Sequence, residues 1–433
     1  MKDKLEKVKN RIVHLVSNGF LWIFWGSFVS QLFGFISSVI VIRNLPKTEY
    51  GVYVDANNIY SYMAIFIGMG MVSAILQFCS EAIANDKKIA IYRFAFKTGS
   101  IFNILLFVAI YLAGAIYKPN SAGYYLRMMC GYPLVIYTAN YLQMALRVKR
   151  KNPEFALAYT VYAVTICAGN IVFTHLWGIK GLVMSFYFSE LAMGFAAFCF
   201  LKKDGFFDEL AMPADKLSRD RKREITTFCV LSMATNFVTT ALVLLDITCL
   251  NYVIGDSQVL ADYKVASAIP SAMIFIPQSM VTYFYPLMVE SYSKEPQKFA
   301  SQILSYEKVF FVVSLFFAGL MLVFAPLIIY VVYGQKYMSC VPIFRMLSLN
   351  FFINSAVRQL LANAITVVKK VKVNLVFATV SGGLNVVLDI LLIKMMGSMG
   401  AAIATVVVTM FIALLEIGYI YVFSHRIKTQ KLL

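Results

Sequence analysis

The chain has 433 residues, 60% of them hydrophobic and 14% charged, and its mean hydropathy is +0.73. Soluble domains carry about 25% charged residues, so a water-soluble enzyme or binding module is excluded. The net charge of +17 raises nucleic acid as a partner, but its distribution along the chain argues against one.

A bilayer crossing needs about 20 predominantly apolar residues. After a basic, amphipathic segment over 1–17, twelve such blocks follow: 18–42, 54–78, 98–117, 124–146, 155–176, 179–201, 225–253, 262–289, 305–333, 342–368, 373–393 and 398–423. The first block is too long, and begins too late, for a cleavable signal peptide. Spans 5 and 6 are separated mainly by Gly178-Ile-Lys-Gly181, and spans 11 and 12 by Gly397-Ser-Met-Gly400. If residues 1–17 are cytoplasmic, 29 of the 39 Lys and Arg fall in or at the edge of cytoplasmic segments. Only 6 fall outside. That is the positive-inside pattern. The charge therefore reports topology and contact with anionic lipid, not nucleic acid. Both termini are expected to be cytoplasmic.

The polar segment 202–224 divides an N-lobe (18–201) from a C-lobe (225–423), with a tail over 424–433. The lobes are weakly repeated. Tyr53-Val-Asp-Ala56 matches Tyr263-Lys-Val-Ala266, and Leu126-Arg127-Met128 matches Phe344-Arg345-Met346. Lys149-Arg150-Lys151 recurs as Lys369, Lys370 and Lys372, and Asn170 precedes its Gly-x-x-Gly much as Asn385 does. Six spans per lobe give both the same orientation, a parallel repeat with the substrate path expected between them. The predicted fold class is thus an all-α polytopic membrane protein of about twelve spans in two six-helix lobes.

Unpaired polar groups are costly in lipid, so a polar stripe marks either a cavity or a packed seam. Span 1 carries Ser27, Ser30, Gln31, Gly34, Ser37 and Ser38 on one face. Span 8 carries Lys264, Ser267, Ser271 and Gln278. The repeat offset gives Val54, Asn57, Ser61 and Gly68 in span 2. Span 7 adds Asn236, Thr239, Thr240 and Asp246. The intramembrane charges Lys264 and Asp246 place these helices in the interior. Arg127 and Arg345 sit near span ends, where snorkelling accounts for them. Arg358 lies mid-span with Asn354 one turn earlier, as a cavity cation would. Glu190, Asp389 and Glu416 are either partners of these cations or coupling groups. Pro270, Pro277 and Pro286 each remove a backbone donor, so span 8 is expected to be kinked. Six of the seven cysteines lie in or beside spans without a CxxC pair, and the three histidines are isolated. No metal site or cofactor is expected.

The run Gly26-Ser27-Phe28, followed by Arg43-Asn-Leu-Pro46-Lys-Thr-Glu49-Tyr50-Gly51-Val-Tyr53, resembles the opening of the polysaccharide transporter family. These Wzx-type flippases share a superfamily with multidrug and toxin extruders and lipid II flippases. The resemblance rests on Arg43, Leu45, Tyr50, Gly51 and Tyr53, and on length, span layout and the two-lobed repeat. It implies transport of an undecaprenyl-diphosphate-linked oligosaccharide, an O-antigen or capsule repeat unit, across a bacterial inner membrane by alternating access. Lys264 and Arg358 would hold the diphosphate, with Arg43 at the outer mouth. Gln31, Asn57, Ser61, Asn236, Ser267, Ser271 and Gln278 would face the sugars. Asp246 and Asp389 are candidates for coupling to H+ or Na+. Membrane lipids and polysaccharide polymerase machinery are the further implied partners.

Two alternatives remain at this point. An ion-coupled multidrug extruder of the same superfamily has the same span count, but many carry an acid in the first span, which is absent here. A membrane-embedded polymerase or glycosyltransferase needs a large outer loop or catalytic carboxylates at a membrane face. All predicted outer loops are short and no Asp-x-Asp pair occurs, so the chain is not expected to be an enzyme.

Overall fold

A computed structural model describes residues 20–79, 84–117, 121–214, 217–294, 296–368 and 370–429. The expected amphipathic segment 1–17 and residues 430–433 of the tail lie outside them, as does Lys369. Among the described residues every element is a helix or helical turn. They form two compact units that divide between Ala241 and Leu242.

In the first unit, α1 (Phe20–Asn44) stops two residues before Pro46, which caps α2 (Lys47–Ala64) with φ −56° and ψ 145°. Proline's fixed φ suits a helix start. The crossing continues through a tight turn, Ile67–Gly70, into α3 (Met71–Cys79). Span 2 is therefore two helices. Gly68 (φ 59°) and Met69 (φ 51°) leave the helical region between them. Gly68 is required there twice over, because its φ is left-handed and an added Cβ would lie 2.3 Å from the Tyr137 ring. Its N–H donates to Asn103 Oδ1 at 2.8 Å, while the Tyr137 hydroxyl donates to Ala95 O at 2.6 Å. The broken backbone is thus answered inside the protein, as hydrocarbon demands.

Next come α4 (Asn85–Ile116), the short α5 (Ala122–Met128), α6 (Tyr132–Val148) and the 52-residue α7 (Asn152–Lys203). Helix α7 has one non-helical residue, Gly178, at φ 55° and ψ −133°. The chain reverses there. Phe173 meets Phe188 at 5.7 Å between ring centroids, and a Cβ at Gly181 would lie 1.7 Å from Phe173 O. Spans 5 and 6 are the two arms of this hairpin.

The polar segment after α7 contains a short helix, α8 (Phe206–Ala211). Lys149 Nζ bonds Asp204 at 2.8 Å and Glu209 at 3.0 Å, and Lys151 bonds Asp204 at 2.7 Å. Arg93 Nε donates to Leu210 O at 3.0 Å. The segment is clamped to α4 and α6. Helix α9 (Arg219–Val253) follows, and its first half packs in the first unit. There Phe228 meets Phe78 edge-on at 5.4 Å, and the Arg221 guanidinium stands 4.7 Å from the Phe78 ring centroid. These contacts explain why the division falls within α9.

The second unit holds the rest of α9 and then α10 (Ser257–Met273) and α11 (Phe275–Lys294). Pro270 and Pro277 flank the junction at Ile274, so span 8 is broken where two backbone donors are missing. Then come α12 (Pro296–Val323), α13 (Ala325–Tyr333), a tight turn over Gln335–Cys340 and α14 (Val341–Ile353). A wide π turn, Asn354–Arg358, leads into α15 (Gln359–Val367). The last two helices are α16 (Val371–Met396) and α17 (Ser398–Thr429). They repeat the hairpin of α7, with Gly397 at φ 62° and ψ −141°. A Cβ at Gly400 would lie 2.1 Å from Leu392 O.

Among the described residues eight helical stretches are long and apolar enough to cross a bilayer, and Gln31–Asn44 and Val243–Val253 are shorter apolar ones. With α7 crossing twice and α5–α6 forming a further broken crossing, the protein is an all-helical polytopic membrane protein of about twelve spans.

Gly68→Ala drives a methyl group into Tyr137 at a left-handed position, and is expected to cost more than about 2 kcal/mol. Gly383→Ala, whose new Cβ meets nothing within 4 Å, should be neutral or gain up to about 1 kcal/mol. Thermal unfolding of the two variants in detergent checks the contrast.

The clamp has its own pH window. The Lys149 and Lys151 ammoniums hold the Asp204 carboxyl below its ordinary 3.8. Burial opposes the charge of Lys149, but bonds to Asp204 and Glu209 outweigh it and hold the amine above 10.5. A depressed carboxyl stabilises above its ordinary pKa and loses this as pH falls through the lowered value. A raised amine stabilises below its ordinary pKa and loses this as pH rises through the raised value. The clamp should be intact from about pH 4 to 10 and open at either extreme. Proteolysis at 202–214 should be slow in that window, and fast throughout it in Lys149→Ala.

Candidate functional site

Two constellations of polar groups occupy the spans of the second unit. The first is built on Asp246 of α9. Its Oδ2 accepts from the Tyr263 hydroxyl of α10 and from Thr405 Oγ1 of α17, the latter at 2.8 Å. Its Oδ1 accepts from Asn385 Nδ2 of α16 at 3.1 Å. The same amide donates to Asp389 Oδ2, one turn on, at 2.9 Å. Asp389 is fully buried and its Oδ1 has no hydrogen-bond partner among the described residues. Two carboxylates thus share one amide, and no described Lys, Arg or His pairs with either. Such a pair needs a proton or a cation between its members to be stable in a low dielectric.

The second constellation surrounds Arg358. Its Nη1 donates to Asn354 Oδ1 at 3.2 Å, and its Nε stands 3.8 Å from Glu416 Oε1 of α17. Glu307 of α12, a charge overlooked in the sequence, lies within electrostatic range of Glu416. Arg358 is therefore held in an acidic setting. Lys264 of α10 differs: it is half-buried and makes no ion pair or side-chain hydrogen bond to a described residue. Ser267, one turn on, donates to Lys264 O at 2.9 Å, and Ser271 and Gln278 are exposed.

The first unit contains a cavity of about 170 Å³. Asn57 and Tyr60 of α2, Tyr132 of α6, Tyr162 of the first arm of α7, and Phe186 and Tyr187 of the second arm line it. Tyr132 centres the wall, with ring centroids 5.9 Å from Tyr60, 5.9 Å from Phe186 and 5.5 Å from Tyr187. Behind it, the Tyr132 hydroxyl donates to Glu190 Oε1 at 3.2 Å. Glu190 is 4% exposed, and its Oε2 has no partner among the described residues. The Tyr60 hydroxyl has none either. Elsewhere in this unit a neutral network stands where α1 meets the α7 hairpin: Asn170 donates to Ser37 and accepts from Ser185.

The sequence-predicted residues are thus dispersed. Asp246 and Asp389 are brought together, Arg358 is paired with Glu416, and Asn57 lines the tyrosine cavity. Ser61 donates to Asn57 O at 2.6 Å, a local bond within α2. Arg43, Gln31 and Asn236 are exposed. The side chains of Ser27, Ser30 and Thr239 lie outside the described positions. The cavity tyrosines were not singled out in the sequence, because they come from three separate helices and only Asn57 and Tyr60 share a helical spacing. Thr405 was missed likewise, as a threonine in an apolar helix carries no signal until its neighbour is known.

The family model described as "Polysaccharide biosynthesis protein" matches residues 16–292, well over half of the chain. The chain belongs to that family. An uncharacterized membrane protein of Methanocaldococcus jannaschii is 21% identical over 415 residues, covering 90% of this chain and 80% of its own length. Among solved structures, the chain is similar to an inward-facing multidrug resistance MATE family transporter of the MOP superfamily. That similarity has a TM-score of 0.75 at 14% identity, over 92% of this chain and 96% of that one. It is also similar to the lipid II flippase MurJ in an inward closed conformation, at TM-score 0.73 and 14% identity, over 93% and 87%. At such identities the likeness shows a shared fold and nothing beyond it.

Proposed function

We propose that this member of the polysaccharide biosynthesis family is a flippase for an undecaprenyl-diphosphate-linked oligosaccharide, such as an O-antigen or capsule repeat unit. It would move its cargo from the cytoplasmic to the outer leaflet of a bacterial inner membrane by alternating access. The family match carries the reading, and the ammonium of Lys264, without a partner among the described residues and on a hydroxyl-bearing helix face, supports it. A diphosphate needs cations at membrane depth, while the polyprenyl tail can stay in lipid. In this reading Lys264 takes the diphosphate first. Arg358 joins it by exchanging Glu416 for phosphate, and Arg43 serves the outer mouth. Ser267, Ser271, Gln278, Gln31, Asn57, Ser61 and Asn236 supply hydroxyl and amide contacts to the sugars.

Asp246 and Asp389 are the proposed coupling site. A proton or Na+ placed between them would relieve their repulsion, so ion binding is linked to the packing of α9, α10, α16 and α17. The polysaccharide polymerase machinery is the proposed consumer of the flipped product. One observation favours a second reading, a multidrug extruder: Glu190 has no cationic partner among the described residues and sits behind tyrosine rings, which attract cations.

Deletion of the gene should leave lipid-linked oligosaccharide accumulated on the cytoplasmic leaflet. Lys264→Arg should restore its export, and Lys264→Ala should export about ten-fold less, as expected for loss of one charge-assisted contact. Full export by Lys264→Ala removes Lys264 from the site. Altered drug sensitivity without accumulation removes the flippase reading itself.

A further inference from the structure

The tyrosine cavity of the first unit has a shape and a polarity that the proposed diphosphate and ion sites leave unused. Its volume of about 170 Å³ is below the ~300–1,000 Å³ of sites that take drug-sized ligands. It has room for one small ring. Its walls are aromatic faces from α2, α6 and both arms of α7, fixed by mutual tilted and edge contacts and by the Tyr187 hydroxyl bonding Met128 O at 2.8 Å. Two polar side chains line it from α2, Asn57 and Tyr60, and the buried Tyr60 hydroxyl has no hydrogen-bond partner among the described residues. A buried hydroxyl without a partner costs about 1–3 kcal/mol, which a bond to a ligand hydroxyl would recover. Glu190 accepts from the Tyr132 hydroxyl and turns that ring to the wall, which makes it a positioning residue.

We propose that this cavity is a subsite for one pyranose ring of the transported oligosaccharide. The ring's C–H face stacks on the tyrosines, and its hydroxyls bond the Tyr60 hydroxyl and the Asn57 amide. A quaternary or lipophilic cation would also be drawn to the aromatic faces. It would, however, leave the Tyr60 hydroxyl and the Asn57 amide unanswered, whereas a pyranose offers donors, acceptors and an apolar face together. The subsite rests on the flippase reading and adds that sugar specificity is set largely within this unit.

The test uses the full-length protein in lipid nanodiscs, with octyl glucoside, octyl galactoside and octyl N-acetylglucosaminide as probes and tetraphenylphosphonium as the opposing probe. At least one octyl glycoside should bind, and Tyr60→Phe, which removes only a hydroxyl, should weaken it about three- to ten-fold. Asn57→Ala should do the same, and Tyr162→Ala should weaken it further by removing a stacking face. Glu190→Gln should shift glycoside preference with less loss of affinity, because an amide can still accept from Tyr132. Unchanged glycoside affinity in both Tyr60→Phe and Asn57→Ala overturns the subsite. So does binding of tetraphenylphosphonium alone, abolished by Glu190→Gln. If the wild type still relieves cytoplasmic accumulation in the deletion strain, those results leave the flippase reading standing. If it does not, that reading has failed independently of the cavity.

Discussion

A carboxylate inside a membrane span must be answered by donors from other spans, because neither lipid nor water will do it. Asp246 is answered by Tyr263, Asn385 and Thr405. One side chain of α9 therefore fixes α10, α16 and α17 in rotation and depth. The glycine hairpin makes this possible. Gly397 reverses the chain and Gly400 lets α17 close on Leu392 O, which brings Asn385 and Thr405 to the same carboxylate. Asp389 then adds a second carboxyl group to a packed node. A group that binds or leaves there changes the energy of four helices at once, the property on which the proposed coupling role rests.

The first unit uses the same hairpin without the charge. Gly178 and Gly181 repeat the geometry of Gly397 and Gly400, but the node beside them is Ser37, Asn170 and Ser185. Neutral hydrogen bonds of this kind are each worth about 1 kcal/mol, and they hold the packing without inviting an ion. The buried carboxyls of this unit stand elsewhere, Asp55 against the Tyr117 hydroxyl and Glu190 behind the tyrosine wall. In the proposed account the second unit answers a cation, a diphosphate and part of the sugar, and the first unit holds one sugar ring.

Much of the architecture was legible in the sequence because the bilayer imposes length and sidedness. Hydropathy marked the spans, and Gly178-x-x-Gly181 and Gly397-x-x-Gly400 marked hairpins whose conformation only glycine adopts cheaply. The break at Gly68 was not legible, since hydropathy averages over it and its cause, Tyr137, lies about 70 residues away in sequence. The site was less legible than the fold. Asp246 and Asp389 could be named as charges, but their sharing of Asn385 is a fact of packing. Arg358 read as a cavity cation with Glu190, Asp389 and Glu416 as candidate partners, and only packing shows that the one it meets is Glu416 from α17. Ser61 and Ser267 read as a cavity face, and their hydroxyls bond their own helices, as serines in helices commonly do.

The central claim is that a lipid-linked sugar crosses the membrane through this protein under the control of the Asp246–Asp389 node. Its most direct measurement is reconstitution in proteoliposomes with a diphosphate-linked oligosaccharide loaded in one leaflet, followed by timed oxidation of sugars exposed on the other. The account predicts exposure that depends on the wild-type protein and on an imposed H+ or Na+ gradient. It predicts that Asp246→Asn binds the cargo and fails to respond to the gradient. Exposure at the same rate without protein, or a gradient response undiminished in Asp246→Asn, would contradict it.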